Sequence, residues 1–415
     1  MKKVLVLGAQ RGALPLVDAF QKMGYYVIVA GKGTNYPCCH TANKVYDVDL
    51  NNYDELVKIG KEEGIVAVTS NVLERAIRPT AWVAEKLGLE GISYKTAKVF
   101  TNKYLMRAAA EKSGVCVPHY AKAECIEEAI QFAEKYGFPL MIKPVDNGGS
   151  KGVVKIHSME DLKNNFDYSL SQSISDGLVI IEEFIEGTEY IVDAFTHNYK
   201  CENTNVSTKE IFDLKDYCVV KNVILKSAVK CNSMIEKKLK ETNIKCVEGM
   251  HLKFGITHAN YIYNEETDSV YLVEVTARGG GDFISSNLVE LATGINVSHL
   301  LACYSLGINY IEENGFDITK GYGASAWFGF ALPEGTVCDI SGVNECKDIK
   351  GVYKVIDDNF YIGKKVEKMK VLADKFGPIL IYGKDRDECK EIFNKVKNTL
   401  KVKVNDNGII KNMIW

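Results

Sequence analysis

At 415 residues the chain is too long for one compact core, and about three domains of ~150 residues each are expected. Its 46% hydrophobic and 25% charged residues exclude a disordered or fibrous chain. The balance of 51 basic against 54 acidic residues argues against gripping a polyanion, so no nucleic-acid partner is expected, although a local phosphate site is not excluded. No apolar run approaches the ~18 residues that cross a bilayer, so no membrane association is expected either. The opening Met1-Lys2-Lys3 leads into a buried strand rather than a signal peptide, because the apolar stretch ends at Gly8 and is followed by Gln10 and Arg11. Twelve cysteines without a C-x-x-C pair read as reduced thiols of a cytoplasmic protein.

The first ninety residues alternate strand and helix. Val4 to Leu7, Val27 to Ala30 and Ile65 to Thr69 read as strands. Leu14, Val17, Phe20 and Met23 recur at helical spacing behind Pro15, and Leu56 and Ile59 mark a second helix with Asn51 or Asn52 as its cap. This alternation predicts a parallel sheet flanked by helices. Gly8 and Gly12 follow the first strand, but they lack G-x-G-x-x-G spacing, and Val29-Ala30-Gly31 brings no ribose acid. A structural turn is the better reading. From Thr101, a plausible cap, a helix runs through Tyr104, Leu105 and Ala108 to Gly114. A βαβ-like stretch covers 120–187, and longer strands fill 189–278. Helix predominates from Asn287 to Leu306. From about Lys320 short strands alternate with turns and one amphipathic helix through Cys389, Ile392 and Val396.

Three local patterns carry chemistry. The strand Leu140 to Pro144 holds Lys143, a charge that is costly to bury unless an anion meets it. The loop Asp146 to Gly152 follows, with backbone N–H groups that can approach phosphate oxygens closely. A strand-edge lysine beside a flexible hairpin fits these residues equally well. Next, the apolar strand from Leu178 runs into Glu182, Glu183, Phe184, Ile185 and, past Gly187, Glu189. A strand end with apolar walls suits an adenine, and a carboxylate suits a ribose diol; a charged surface hairpin is the alternative. Third is a hairpin of Thr257–Tyr263 and Val270–Arg278. A symmetric turn sets Asn260 nearly opposite Glu274, with Tyr271, Val273 and Val275 on one face and Glu274, Thr276 and Arg278 on the other. A carboxylate beside an amide oxygen can hold Mg²⁺, and Arg278 beside Gly279-Gly280-Gly281 can stabilise a transferring phosphoryl group. A cross-strand Glu274–Arg278 ion pair is the plainer reading, weakened by the triple glycine.

In this order, across residues 97 to 310, the three patterns resemble the ATP-grasp superfamily. The likeness implies a mixed α/β and α+β fold: a Rossmann-like pre-ATP-grasp domain at 1–96, an ATP-grasp domain at 97–316 with 120–187 as a mobile lid, and a small α+β domain at 317–415 similar to the C-terminal domains of biotin carboxylase and L-amino acid ligases. By the same resemblance, Lys103, Lys143, Gly149, Ser150, Gly152, Glu182, Glu183, Phe184, Ile185 and Glu189 would contact ATP. Glu274 and Asn260 would hold Mg²⁺, Glu274 and Arg278 would be catalytic, and Arg278, Gly280 and Gly281 would meet the substrate. Two positions depart from the family pattern. Asn260, two residues after His258, stands where a metal glutamate is usual, and Thr276 replaces the asparagine of E-x-N-x-R. The implied activity is ATP-dependent ligation of a carboxylate to an amine through an acyl phosphate, with small-molecule partners and room for a homodimer. The alternatives are a formate- or bicarbonate-using relative, or a nucleotide-binding protein with reduced catalysis.

Overall fold

Four short strands, β1 (Lys3–Leu7), β2 (Tyr26–Gly31), β3 (Lys44–Asp47) and β4 (Ile65–Thr69), pair in the order β3-β2-β1-β4, all parallel. β3 was not anticipated, because Lys44-Val45-Tyr46-Asp47 is a half-exposed edge without a clear apolar period. Helix Leu14–Lys22 carries Pro15 in its first turn, where the missing N–H costs little. Helix Tyr53–Glu63 is capped by Asn52, whose Oδ1 accepts from the Glu55 N–H at 3.3 Å. Leu5, Leu7, Ile28 and Ala30 are fully buried against Leu56 and Val83 from the covering helices.

Strands β5 (Tyr120–Ala123), β6 (Leu140–Pro144), β7 (Val154–Ile156) and β8 (Val179–Glu183) form a second sheet, ordered β5-β8-β6-β7. Every neighbouring pair is antiparallel, which corrects the βαβ-like reading of 120–187. Alternation of strand and helix does not encode direction, and the loop 145–153 turns β7 straight back onto β6 instead of crossing over. Helices Ile126–Tyr136 and Met159–Ser171 pack on this sheet through Phe132, Leu162 and Phe166.

β9 (Thr188–His197) is followed by β10 (Lys200–Ile211), β11 (Val220–Ser227), β12 (Gly255–Asn264) and β13 (Ser269–Thr276). β9, β12 and β13 lie side by side, antiparallel, with β12 in the middle. The helix Met234–Gly249, opened by a Ser233/Glu236 capping box, meets β12 where Tyr261 Oη donates to Asn243 Oδ1 at 2.9 Å.

The computed structural model describes residues 1–212, 219–369 and 374–415, which form two compact units. The first comprises 1–203, 233–281 and 297–315 and holds the features above from β1 to β9, β12 and β13. The second comprises 204–232, 282–296 and 316–415. Here β14 (Ala324–Phe330), β15 (Gly335–Ser341), β16 (Val352–Val355), β17 (Lys365–Val366), β18 (Phe376–Gly383), β19 (Lys401–Asp406) and β20 (Ile409–Asn412) follow one another. β11, β14, β18 and β16 pair antiparallel in that order, and β17-β15-β19-β20 form a smaller sheet. The expected amphipathic helix is Arg386–Thr399; its Phe393 stacks on Phe328 of β14 at 3.8 Å between ring centroids. Among the described residues no helix is long and apolar enough to cross a membrane.

Candidate active site

Helix Lys103–Lys112 brings two cations to the site one turn apart. Its cap is Asn102, which accepts from the Leu105 N–H at 3.0 Å. Thr101, the expected cap, is taken by other bonds: its Oγ1 donates to the Ala97 carbonyl and accepts from Arg78 Nε. Lys103 is 6% exposed; its Nζ donates to the Asn147 carbonyl at 2.6 Å and lies 2.9 Å from Glu274 Oε1. Burial lowers the Lys103 pKa, but the charges of Glu274 and Glu74 outweigh it, so the ammonium is held above its ordinary value. Four residues on, fully buried Arg107 donates from Nε to Glu182 Oε1 at 2.6 Å and from an Nη to the Val273 carbonyl at 2.7 Å.

That carbonyl is available because β13 bulges. The register passes from Asn260 opposite Glu274 to Tyr261 opposite Leu272, leaving Val273 as the extra residue. Asn260 thus faces Glu274 as the symmetric turn required. The expected alternation of faces does not hold, however. The apolar residues Val270, Leu272 and Val275 are buried, because the bulge reverses the parity between Leu272 and Val275, and Thr276 is buried beside them.

Lys143 lies late in β6 with its Nζ 2.5 Å from Glu182 Oε2. Glu182 therefore bridges Arg107 and Lys143 from within the core. Burial pushes its carboxyl up, yet the two cations hold it at about 2. Glu183 follows on the same strand with its N–H on the His119 carbonyl at 2.9 Å, and the Phe184 N–H reaches the Pro139 carbonyl at 3.3 Å. Lys155 Nζ stands 3.5 Å from the centre of the Phe184 ring. Ile185 and Glu189 are half-buried, and Glu189 is opposite Ile262 of β12.

The loop after β6 is anchored at its start. Asp146 accepts from the Ile174, Ser175 and Asp176 N–H groups at 2.9, 2.6 and 2.8 Å; against the opposing effect of burial these bonds hold its carboxyl below its ordinary value. Gly149, Ser150 and Lys151 are exposed, whereas Gly152 is buried and its carbonyl accepts from Ser169 Oγ at 2.8 Å.

Two residues without a motif complete the cluster. Asn71, 2% exposed, accepts the Gly279 N–H on Oδ1 at 3.1 Å, and Glu74 Oε2 is 3.9 Å from an Nη of Arg278. Both follow β4, and the carboxyl ends of parallel strands are where such sheets present ligand groups, which is the signal that marks this loop. Burial and the Glu274 charge raise the Glu74 pKa despite Arg278 and Lys103; Glu274 itself, against burial, is held low by Lys103 and Arg278. The structure thus gathers Lys103, Glu274, Asn260 and Arg278 in one region, and links Lys143 to Glu182 beside it. Gly280 is buried and Gly281 half-buried in the loop beyond Arg278. Among the described residues no three His, Cys, Asp or Glu side chains converge as a metal cage. A cavity of about 520 Å³ lined by Leu89, Ile92, Thr96 and Lys253 includes none of these residues.

Residues 113–302, which span β6, β8, β12, β13 and the glycine triplet, match the family described as D-ala D-ala ligase C-terminus. This stretch is an ATP-grasp domain. The chain is 31% identical over 187 residues to a formate-dependent phosphoribosylglycinamide formyltransferase of Methanocaldococcus jannaschii, covering 44% of this chain and 48% of that protein. It is 22% identical over 306 residues to an L-arginine-specific L-amino acid ligase of Bacillus subtilis, covering 72% and 70%. The chain therefore spans about half the length of the formyltransferase and more of the ligase. The crystal structure of L-amino acid ligase from Bacillus licheniformis superposes with a TM-score of 0.80 at 19% identity, covering 98% of this chain and 99% of that one. The fold is thus the multi-domain mixed α/β fold of ATP-grasp proteins. The ATP-grasp match includes Lys143, Glu182 and Arg278 but not Lys103, Asn71 or Glu74, which precede it.

Proposed function

We propose that this chain is an ATP-dependent ligase that activates a carboxylate as an acyl phosphate and joins it to an amine, releasing ADP and phosphate. The observation that carries the reading is the convergence of Lys103 and Arg278 on Glu274 within an ATP-grasp fold, with Lys143 held on the neighbouring sheet. In this reading the adenine lies along Glu183, Phe184 and Ile185, with Glu189 on the ribose. Lys143 pairs with Ile180, three residues from Glu183 and so ~10 Å along the sheet, a spacing suited to a nucleoside at one end and phosphates at the other. Lys103, Lys143 and the N–H groups of Gly149, Ser150 and Gly152 offset the charge of the triphosphate.

The substrate carboxylate, oriented by Arg278 and the N–H groups of Gly280 and Gly281, attacks the γ-phosphorus, and ADP leaves. The amine nitrogen then attacks the acyl carbon, phosphate leaves, and one proton passes to solvent. No protein nucleophile is needed; the contribution is positioning and electrostatic stabilisation. Glu274 and Asn260, directly opposite each other with oxygen donors, fit Mg²⁺ held largely by nucleotide phosphates. When bound, that ion neutralises phosphate charge. Residues 1–96, 97–316 and 317–415 are the corresponding pre-ATP-grasp, ATP-grasp and C-terminal domains in this reading, with 120–187 as the lid.

The identity to the formate-dependent enzyme favours a second reading, in which the activated carboxylate is formate. A coupled ADP-release screen of amino-acid pairs, formate and bicarbonate separates the two. ADP released only with amino-acid pairs supports the first reading. Release with formate and an amine in place of an amino acid supports the second, and no carboxylate-dependent release overturns both.

A further inference from the structure

The loop Asn71–Glu74 is built with unusual care for a segment outside every recognised motif. Val72 has φ +68, a backbone conformation that a β-branched residue adopts only under strain. A side chain on Gly12 would meet both Val72 methyl carbons at 2.9 Å, and one on Gly8 would meet Leu73 Cδ2 at 2.9 Å. The bare glycines after β1 thus let Val72 and Leu73 seat closely, and the strained turn projects Asn71 and Glu74 on either side. Asn71 takes the Gly279 N–H, tying the loop to the glycine triplet, while Glu74 comes to Arg278.

Glu74 and Arg278 are opposite charges with only 17% and 18% of their side chains exposed, yet they do not satisfy each other. Their nearest approach is 3.9 Å, beyond hydrogen-bond length. Among the described residues Arg278 Nε is buried without a hydrogen-bond partner, while an Nη of the same side chain donates to the Gly279 carbonyl at 2.8 Å. Such half-paired buried charges are costly when left alone and are relieved by a ligand that pairs with each. An α-amino acid carries its ammonium and carboxylate one carbon apart, with the charges in the opposite order. A carboxylate on Arg278 and an ammonium on Glu74 would replace one loose contact with two charge-assisted ones. Formate and bicarbonate have no ammonium to offer Glu74.

We infer that Glu74, presented by the strained Asn71–Glu74 loop, recognises the ammonium of the substrate whose carboxylate Arg278 holds, so that the activated substrate is an α-amino acid. This rests on the ligase reading and narrows its substrate class.

The test uses the full chain with Mg²⁺ and a non-hydrolysable ATP analogue. Binding of L-amino acids and of their deamino and α-hydroxy counterparts is measured by calorimetry, alongside ADP release from ATP. The wild type is expected to favour the best amino acid over its deamino counterpart at least 100-fold. In Glu74→Gln that ratio falls below about fivefold, and Glu74→Asp retains part of it, while the affinity for the ATP analogue stays within threefold. Thermal unfolding checks that both variants fold; if neither does, the wild-type ratio decides, with Arg278→Lys expected to weaken amino and deamino acids alike. Equal binding of amino and deamino acids by the wild type, or an unchanged ratio in Glu74→Gln, overturns the assignment. So does a large loss of nucleotide affinity with the ratio intact, which would make Glu74 a nucleotide or metal residue. Amino-acid binding that depends on Glu74 without ADP release would instead refute the ligase reading and leave the recognition site standing.

Discussion

Glu182 offers the sharpest quantitative check of the charge network. It is 1% exposed and bonded to Arg107 and Lys143, and its carboxyl is held at about 2 against an ordinary 4.5. That difference corresponds to about 3 kcal/mol of stability at neutral pH. The folded-state value lies below the unfolded one, so the unfolded chain takes up the proton first as pH falls. The contribution is therefore complete above about pH 5 and is lost progressively toward pH 2. Glu182→Gln keeps the shape and removes the charge. Urea unfolding at pH 7, 5, 4 and 3 is expected to show the wild type about 3 kcal/mol more stable at pH 7, with the gap narrowing below pH 5. Glu182→Ala, which leaves two cations without their carboxylate, is expected to cost about 3–5 kcal/mol at pH 7. Stability curves for wild type and Glu182→Gln that run parallel from pH 7 to 3 would refute the reasoning, since the bridging carboxylate would then carry no linked proton.

Lys143→Ala is expected to weaken ATP binding at least tenfold, about 1.4 kcal/mol; an unchanged titration in the folded variant removes Lys143 from the phosphates. Residues 149–151, exposed beyond the Asp146 anchor, should exchange amide hydrogens quickly and become protected with a bound ATP analogue; protection equal to that of β6 without nucleotide would count against a closing loop. Glu274→Gln is expected to abolish nearly all turnover and leave adenosine binding largely intact, whereas Asn260→Glu should lower the Mg²⁺ concentration that ADP formation requires. Wild-type turnover in Glu274→Gln, or a higher Mg²⁺ requirement in Asn260→Glu, would show that the β12–β13 pair does not hold the ion.

Much of this was legible in sequence because apolar periodicity and turn residues report local structure directly. The strands at 3–7, 26–31 and 65–69, the Asn260–Glu274 opposition and the C-terminal amphipathic helix all follow from such patterns. What was hidden depends on partners distant in the chain. The extra residue at Val273 has no mark of its own, since Val is at home in any strand, yet it decides which faces of β13 are buried and frees a carbonyl for Arg107. Strand direction in 120–183 was hidden for the same reason: the antiparallel order is set by how a turn folds back, not by the strand residues. Glu182 reads as a strand-end acid until Arg107, 75 residues earlier, is placed beside it.

Gly8 and Gly12 carry the argument furthest. Read alone they suggest a nucleotide turn, and the spacing argues against it, leaving only a structural role. The structure gives that role a consequence. The missing side chains admit Val72 and Leu73, Val72 sits there at positive φ, and the turn brings an amide to the Gly279 backbone and a carboxylate to within 3.9 Å of Arg278. A methyl group on Gly12 would need to displace two Val72 methyl carbons held at 2.9 Å, and the displacement would reach the site through four residues of loop. Glycines that touch no ligand can thus still set where a charge stands. On the inference drawn for Glu74, a pattern dismissed as a cofactor motif serves substrate recognition, one contact removed.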